Sequence, residues 1–379
     1  MEEEVKFIVP VTTVLEVVPH SNADALEIVK VFDFNVIVRK NSYKVGDTVI
    51  YAPIDCILPA SLEVIIFGPN SKIKLTKGRI KQIRIRGLAS QGMIIDLKDV
   101  NLYFKELPTV GDNVADILGI VKHEPPETSF SANQPRVKKE RNRSYENPYF
   151  HTYGGLNNWK YYAKSELFVE GQEVVYQEKI HGTNGRASLS PFVAKTLWQK
   201  FLKFIGRMPE HQFCYGSNNV QLQAKPYTGY YEDNVYAEAC KKYNLHLKLQ
   251  PNETVYFEIY GCGVQKGYTY GHTNDSRSIA VFDVKVLSED KQSTRWLTVD
   301  ELTIWCAERM LPMVPIIYRG PHSLAKAQEC TKGDSLIGKQ KVREGIVIRD
   351  PKEPVCFFGK KAFKLLSEDY LDGNQSDFH

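Results

Sequence analysis

The sequence predicts an α+β chain in two parts: an all-β domain over residues 1–120 and a mixed α+β domain over residues 151–379, with 121–150 as a linker. Three observations lead there. Up to about residue 120, short strand-like runs alternate with turn signals and no long helical period appears. From 121 to 150 the chain becomes polar and proline-rich, then basic. Beyond 151 strands and helices mix, without the regular alternation that a doubly wound parallel sheet requires.

The N-terminal strands are justified one by one. Val5–Val9 opens the series and Asn35–Arg39 is a second candidate. Lys44–Tyr51 reads as a Gly-Asp turn running into a strand. Ile80–Arg86 alternates isoleucine with polar residues in part, and Gln91–Ile95 follows a glycine turn. Such a set argues for a small β-barrel or sandwich. In the linker, Pro125–Pro135 is followed by the basic run Arg136–Arg143, which is either a solvated tether or an arm that touches phosphates.

In the second domain, Glu173–Ile180, Thr254–Tyr260, Ser278–Val286 and Gly345–Ile348 are the strand candidates. Tyr236–Tyr243, Val299–Arg309 and Ser323–Cys330 are the helical ones.

Composition sets bounds rather than a function. With 42% hydrophobic and 25% charged residues the chain can bury two ordinary cores. No apolar run is long enough for a membrane span, and the acidic start is unlike a signal peptide. Seven scattered cysteines without a Cys-x-x-Cys pair suit reduced thiols in an intracellular protein better than a disulfide frame or a zinc site. A net charge of +4 does not by itself announce a nucleic-acid partner.

The chemistry concentrates in five places. Glu178-Lys179-Ile180-His181-Gly182-Thr183-Asn184-Gly185-Arg186 sets a lysine at a strand end before a glycine turn. Desolvation or nearby cations turn such an amine into a nucleophile. In Val255–Gly261, alternation points Glu258 away from Val255, Phe257 and Ile259, so a buried Glu258 needs a polar partner. Ile279–Val284 offers Phe282, an aromatic that can stack on a flat ring. Arg343-Glu344-Gly345 puts an acid at a strand start, and Gly359–Lys364 gathers three lysines. Taken singly, each has a plain alternative: a surface lysine, a solvated carboxylate, a core phenylalanine, a basic patch. Gly333–Gln340 is close to a P-loop, but it ends in Gln rather than Ser or Thr and no clear strand precedes it.

The ordered set Lys-x-His-Gly, Glu-x-x-Gly, Phe-Asp, Glu-Gly and a terminal lysine cluster resembles the covalent nucleotidyltransferases, the polynucleotide ligases and capping enzymes. Histidine within Glu178–Asn184 resembles the RNA ligase 2 group. Ser21–Glu27, Val45-Gly46-Asp47, Ile54-Asp55 and Arg84–Gly92 look like an OB barrel. A barrel ahead of the transferase domain is the order of RNA ligase family 5. The resemblance therefore implies an OB-type β-barrel followed by an α+β nucleotidyltransferase (ATP-grasp-like ligase) domain.

It also implies an ATP-dependent enzyme that seals 3′-hydroxyl/5′-phosphate breaks in RNA, in RNA repair, with Mg²⁺ or Mn²⁺. Nicked duplex or RNA-containing ends would be the partner of a monomer. Lys179 would carry AMP, with Glu178, His181, Asn184 and Arg186 lining the nucleotide site. Glu258 would hold the ribose hydroxyls, Phe282 would stack on the base, Glu344 would bind the metal through water, and Lys364 would contact the α-phosphate. The last motif usually reads Lys-x-Lys, but residue 362 is Ala. The second lysine then falls on Lys360 by alternation or on Lys361 by closeness in the chain, and Lys361 is taken here. Tyr215–Asn219 lacks an arginine that relatives often carry. A DNA ligase or capping enzyme would place its OB domain after the transferase domain, and a non-catalytic OB-fold RNA-binding protein would not need the intact lysines and acids.

Overall fold

The computed structural model describes residues 7–69, 71, 75–123, 146–163, 165–222, 234–356 and 359–373. The greater part of the expected linker, with its basic run Arg136–Arg143, lies outside them. Of the described residues, 7–123 with 158–168 and 366–373 form one compact unit. Residues 146–157 with 169–365 form the other.

The first unit runs through β1 (Val11–Thr13), β2 (Glu16–Pro19), β3 (Leu26–Val31), β4 (Phe34–Arg39), β5 (Thr48–Ala52) and β6 (Cys56–Ile57). Helix α1 (Ala60–Phe67), β7 (Ile83–Ile85), β8 (Leu88–Ser90), β9 (Met93–Asp96), α2 (Ala115–Leu118) and β10 (Val121–Lys122) complete it. The strand expected at Val5–Val9 does not form over its described residues 7–9, since pairing begins with the bridge of Pro10 to Asn113 and the strand itself at Val11. Antiparallel sheets β1-β5-β9 and β2-β3-β4 cover two buried clusters. One is Val14, Val29, Val31, Phe34, Val36, Val49, Tyr51 and Ile94; the other is built from Val11, Ile50, Leu62, Ile95 and Leu118. Alternation along β5 explains both clusters, because Val49 and Tyr51 face one and Ile50 and Ala52 the other.

The second unit begins at β11 (Asn157–Asn158) and continues with β12 (Glu173–Lys179), β13 (Thr183–Pro191), α3 (Leu197–Phe204) and β14 (His211–Ser217). Next come α4 (Val235–Lys242), α5 (Leu245–Lys248), β15 (Glu253–Gly261), β16 (Arg277–Leu287), β17 (Thr294–Trp296) and α6 (Val299–Glu308). β18 (Ile316–Pro321), α7 (Leu324–Thr331), β19 (Gly345–Arg349), β20 (Val355–Cys356), β21 (Gly359–Lys360) and β22 (Ala362–Leu366) follow; α8 (Glu368–Gly373) belongs to the first unit.

Two five-stranded sheets organise this unit, ordered β11-β22-β19-β12-β18 and β14-β13-β15-β16-β17. The second sheet buries Val255, Phe257, Ile259, Ile279, Val281 and Val284 against Val235, Tyr236, Leu302 and Trp305 of α4 and α6. Each such side chain fully removed from water contributes about 1.5–3 kcal/mol. A capping box starts α6: Thr298 Oγ1 accepts from Glu301 N–H at 3.1 Å while the Glu301 carboxylate accepts from Thr298 N–H at 2.8 Å. The opposite face of the β14-β13-β15-β16-β17 sheet is more polar, and the candidate site lies there.

A candidate nucleotide site between two sheets

A cavity of about 270 Å³ opens between the sheets of the second unit. β12 contributes Gln177, Glu178 and Lys179, β19 contributes Val347 and Arg349, and β22 contributes Lys364. From the other sheet come Asn184 on β13, Glu258 on β15 and Phe282 on β16, with Tyr153–Leu156, Ile180, Asn218 and Val314 completing the wall.

Lys179 is where β12 ends. Its Nζ lies 2.5 Å from Glu344 Oε1, and Glu344 itself is buried just before β19. Strand pairing produces this encounter, because Lys179 pairs with Gly345. The next residues turn sharply into β13, and a side chain at Gly182 would put its Cβ 2.2 Å from the Ile259 carbonyl oxygen. Only glycine allows β13 to pass so close to β15 there.

Glu258 obeys the expected alternation: Phe257 and Ile259 enter the core and Glu258 faces the cavity. Burial pushes its carboxyl up to about 8, with Lys179 pulling it down and Glu344 pushing it further up. Phe282 owes its position to a bulge. Tyr256 pairs with Asp283 and Phe257 with Val281, which leaves Phe282 as the extra residue of β16. The bulge turns the ring into the cavity, edge-on to Tyr153 at 4.8 Å, and Arg349 Nη1 donates to the Phe282 carbonyl at 2.8 Å.

Arg349 also holds Asp283 Oδ1 at 2.9 Å. Asp283 is wholly buried and takes Tyr153 Oη at 2.9 Å and Lys360 as further partners. This network ties Tyr153, Phe282 and the two sheets together behind the cavity wall.

Other expected residues are distributed differently. Glu178 borders the cavity, but its carboxylate accepts from Ser335 Oγ at 2.5 Å and from Leu336 N–H at 2.8 Å. Burial raises its carboxyl above the ordinary range, against those two hydrogen bonds and Arg343. His181 stands behind Glu344, with Nδ1 3.8 Å from Oε2, rather than on the cavity wall.

Arg186 is a correction to the expected lining. It is 2% exposed, donates to the Ser217 carbonyl at 2.9 Å and to the Phe150 carbonyl, and lies 3.9 Å over the Phe150 ring. It holds in place two segments that do reach the wall, at Tyr153 and Asn218. Burial lowers its pKa to about 10.

Lys361 is the second correction. Its Nζ pairs with Asp350 at 2.9 Å and Glu353 at 3.1 Å, away from the wall, whereas Lys360 sits on Asp283 and Tyr153. Neither Lys360 nor Lys361 is among the residues that line the cavity, whereas Lys364 is. Sequence reasoning missed Tyr153, Gln177, Asn218 and Arg349 as wall residues. Arg349 was findable, since it is four residues beyond Gly345 on the same strand face as Val347. Tyr153 was not, because a loop brings it there.

Two buried atoms on the wall, Gln177 Nε2 and Asn184 Oδ1, have no hydrogen-bond partner among the described residues, and neither does Glu344 Oε2 beside Lys179. Buried polar atoms left open this way are what a bound polar ligand would satisfy. Among the described residues no group of three or more His, Cys, Asp or Glu is placed to hold a metal unaided. All seven cysteines are free. No helix among the described residues is long and apolar enough to cross a membrane.

The RNA ligase family model matches residues 172–366, just over half the chain, and a model of an OB-fold domain matches residues 8–97. The chain therefore consists of an N-terminal OB-fold domain and a C-terminal ligase domain, without the closed barrel that the resemblance suggested being traced in the strand pairing of the described residues. The fold matches Naegleria gruberi RNA ligase with PPi at a TM-score of 0.72 and 21% identity, covering 98% of this chain and 99% of that one. A variant of that ligase with ATP and Mn matches at 0.73 and 20%, covering 97% and 99%. A variant with AMP and Mn matches at 0.72 and 20%, covering 97% and 99%. Comparison with curated protein sequences finds no match.

Proposed function

This chain belongs to the RNA ligase family, and from that premise we propose that it joins RNA ends with ATP through an AMP adduct on Lys179. One observation carries the reading. Lys179, Glu258, Phe282 and Lys364, which are far apart in the chain, share one cavity with two open polar atoms on its wall.

The chemistry follows from the groups present. The Lys179 amine attacks the α-phosphorus of ATP; an N–P bond forms, the bond to the β-phosphate oxygen breaks, and pyrophosphate leaves. The ammonium proton has Glu344 Oε1 at 2.5 Å as its nearest acceptor. Phe282 stacks on the base and Glu258 meets the ribose hydroxyls. Lys364 offsets charge on the α-phosphate.

The AMP then passes to an RNA 5′-phosphate, and a 3′-hydroxyl displaces it to close the strand. A divalent cation, Mg²⁺ or Mn²⁺, fits beside Glu344, whose buried Oε2 accepts no hydrogen bond among the described residues, and would be held there through water. It would supply positive charge to the phosphates. The OB-fold domain, 1–120 in this proposal, would hold the RNA duplex, with 151–379 carrying the transfer. We assign the enzyme to RNA repair, acting as a monomer.

Incubation with α-labelled ATP and Mg²⁺, followed by denaturing electrophoresis, tests the reading. Wild type is expected to give a labelled, acid-labile band that Lys179→Ala abolishes. Wild type that takes no label from ATP sinks it. Sealing of a nicked RNA duplex but not of its all-DNA counterpart is the second expected result.

A further inference from the structure

Two segments outside the transferase motifs grip the turn that carries Lys179, and they also grip each other. The first is Gly333–Gln340, the near P-loop. The two groups that a phosphate loop would present, Ser335 Oγ and Leu336 N–H, are both committed to the Glu178 carboxylate, at 2.5 and 2.8 Å. Ile337 N–H donates to the same Ser335 Oγ at 2.9 Å, which fixes its rotamer. Arg343 anchors the segment from below, donating to the Asp334 carbonyl at 2.7 Å and the Cys330 carbonyl at 3.3 Å.

The second segment is the connection between β15 and β16, residues 262–276. Tyr270 Oη accepts from the His181 backbone N–H at 2.7 Å. Gln265 Nε2 donates to the Gly182 carbonyl at 2.8 Å. The Tyr268 ring meets the His181 ring edge-on at 4.9 Å. Three contacts thus hold two consecutive residues of the turn that follows Lys179.

The segments interlock at Gly338. Its φ is +63°, and a Cβ there would lie 1.8 Å from the Tyr270 carbonyl oxygen. A Cβ on Gly271 would lie 3.4 Å from Lys339 N, and Tyr268 Oη donates to the Val342 carbonyl at 3.4 Å. The grip on Glu178 and the grip on His181 and Gly182 are therefore one assembly rather than two separate contacts.

We propose that these segments form a single brace that fixes the Glu178–Gly182 turn, with Ser335, Tyr270 and Gln265 as positioning residues for the Lys179 amine. The proposal rests on the reading of Lys179 as the nucleophile. The physical need is clear. Lys179 ends a strand, and the three residues after it make a turn whose backbone donors and acceptors would otherwise be free to choose other partners. A nucleophile must sit within a fraction of an ångström of its in-line approach, and rigid supporting groups secure that better than the reacting side chain can alone.

Single-turnover transfer of label from α-labelled ATP, at saturating ATP, separates this from a merely structural role. Tyr270→Phe and Ser335→Ala are expected to slow adduct formation roughly 10- to 100-fold. The half-saturating ATP concentration should stay within about twofold, because the substrate is met by other residues, and the melting temperature should fall by no more than one lost buried hydrogen bond accounts for. Ser335→Thr keeps the hydroxyl and should keep the rate. Should Tyr270→Phe fail to fold, Gln265→Ala carries the same test through the Gly182 carbonyl. Folded variants as fast as wild type would overturn the brace, as would a loss expressed only as weaker ATP binding or a Ser335→Thr as slow as Ser335→Ala. Wild type that takes no label fails the parent reading, whereas a labelled wild type with equally fast variants fails the brace alone.

Discussion

Lysines meet carboxylates in two regions of the ligase domain, and the two regions differ in how each charge is used. At the end of β12 one lysine, Lys179, stands among two acids, Glu344 at 2.5 Å and Glu258 across the cavity, and that cavity still has open polar atoms. Along Gly359–Lys364 three lysines point three ways. Lys360 goes to the buried Asp283, Lys361 to Asp350 and Glu353, and Lys364 to the cavity. Crowding of like residues in sequence says little about shared work. What sorts them is which buried carboxylate each one neutralises, since an unpaired charge in the interior costs several kcal/mol.

The largest expected effect tests the acid side of the first region. Burial, joined by Glu344 and opposed by Lys179, holds the Glu258 carboxyl at about 8. The folded protein then keeps a proton that the unfolded chain releases near the ordinary value of about 4.5. That contribution to stability is fully present below about pH 4.5 and is lost as the pH rises toward 8, by at most ~1.4 kcal/mol per unit. Melting temperatures between pH 5 and 8 should therefore fall more steeply for wild type than for Glu258→Gln. Parallel slopes would mean that Glu258 is ionised in the folded state and that the first region holds a full ion triad.

Next is Lys364, the one lysine of the second region on the cavity wall. Lys364→Ala should slow adduct formation about 100-fold or more, comparable to deleting a preorganised charge from a transition-state site. Its melting temperature should move little, because Lys364 is only partly buried. A variant that unfolds instead would place Lys364 with its two neighbours and erase the contrast.

The same contrast explains what was legible beforehand. Strand and helix positions carried by strong alternation or clear caps were readable: β12, β15, β16 and α6 fall within a residue or so of expectation. Lys179, Glu258, Phe282 and Lys364 were gathered into one site by the resemblance of the ordered motifs, while alternation by itself pointed only Glu258 away from its apolar neighbours. Arg186 misled because a cation next to a nucleophile looks functional, while its role depends on Phe150 and Ser217, thirty or more residues away in either direction. The bulge at Phe282 leaves no mark in one sequence, since it is defined only by the register with β15. Gly333–Gln340 looked like an incomplete phosphate loop because its serine and glycines are visible locally, whereas Glu178, which takes the Ser335 hydroxyl and the Leu336 N–H, is more than 150 residues earlier.

The smallest effects distinguish Lys360 from Lys361, and they also test alternation against closeness in the chain. Lys360→Met leaves Asp283 with Arg349 and Tyr153 as partners at zero exposure, and should cost about 2 kcal/mol, within the range for weakening a buried ion network. Because Tyr153 also stands under Lys360 and lines the cavity, adduct formation should slow as well. Lys361→Met leaves Asp350 with the Lys352 and Glu353 backbone N–H groups and the Gln172 amide, so about 1 kcal/mol is expected, with the rate of adduct formation unchanged. Chemical denaturation together with single-turnover labelling of both variants reads the difference. If Lys361→Met were instead the one to lose labelling with its stability intact, Lys361 would belong with Lys364 at the phosphates, and its pairing with Asp350 would describe only the state before ATP binds.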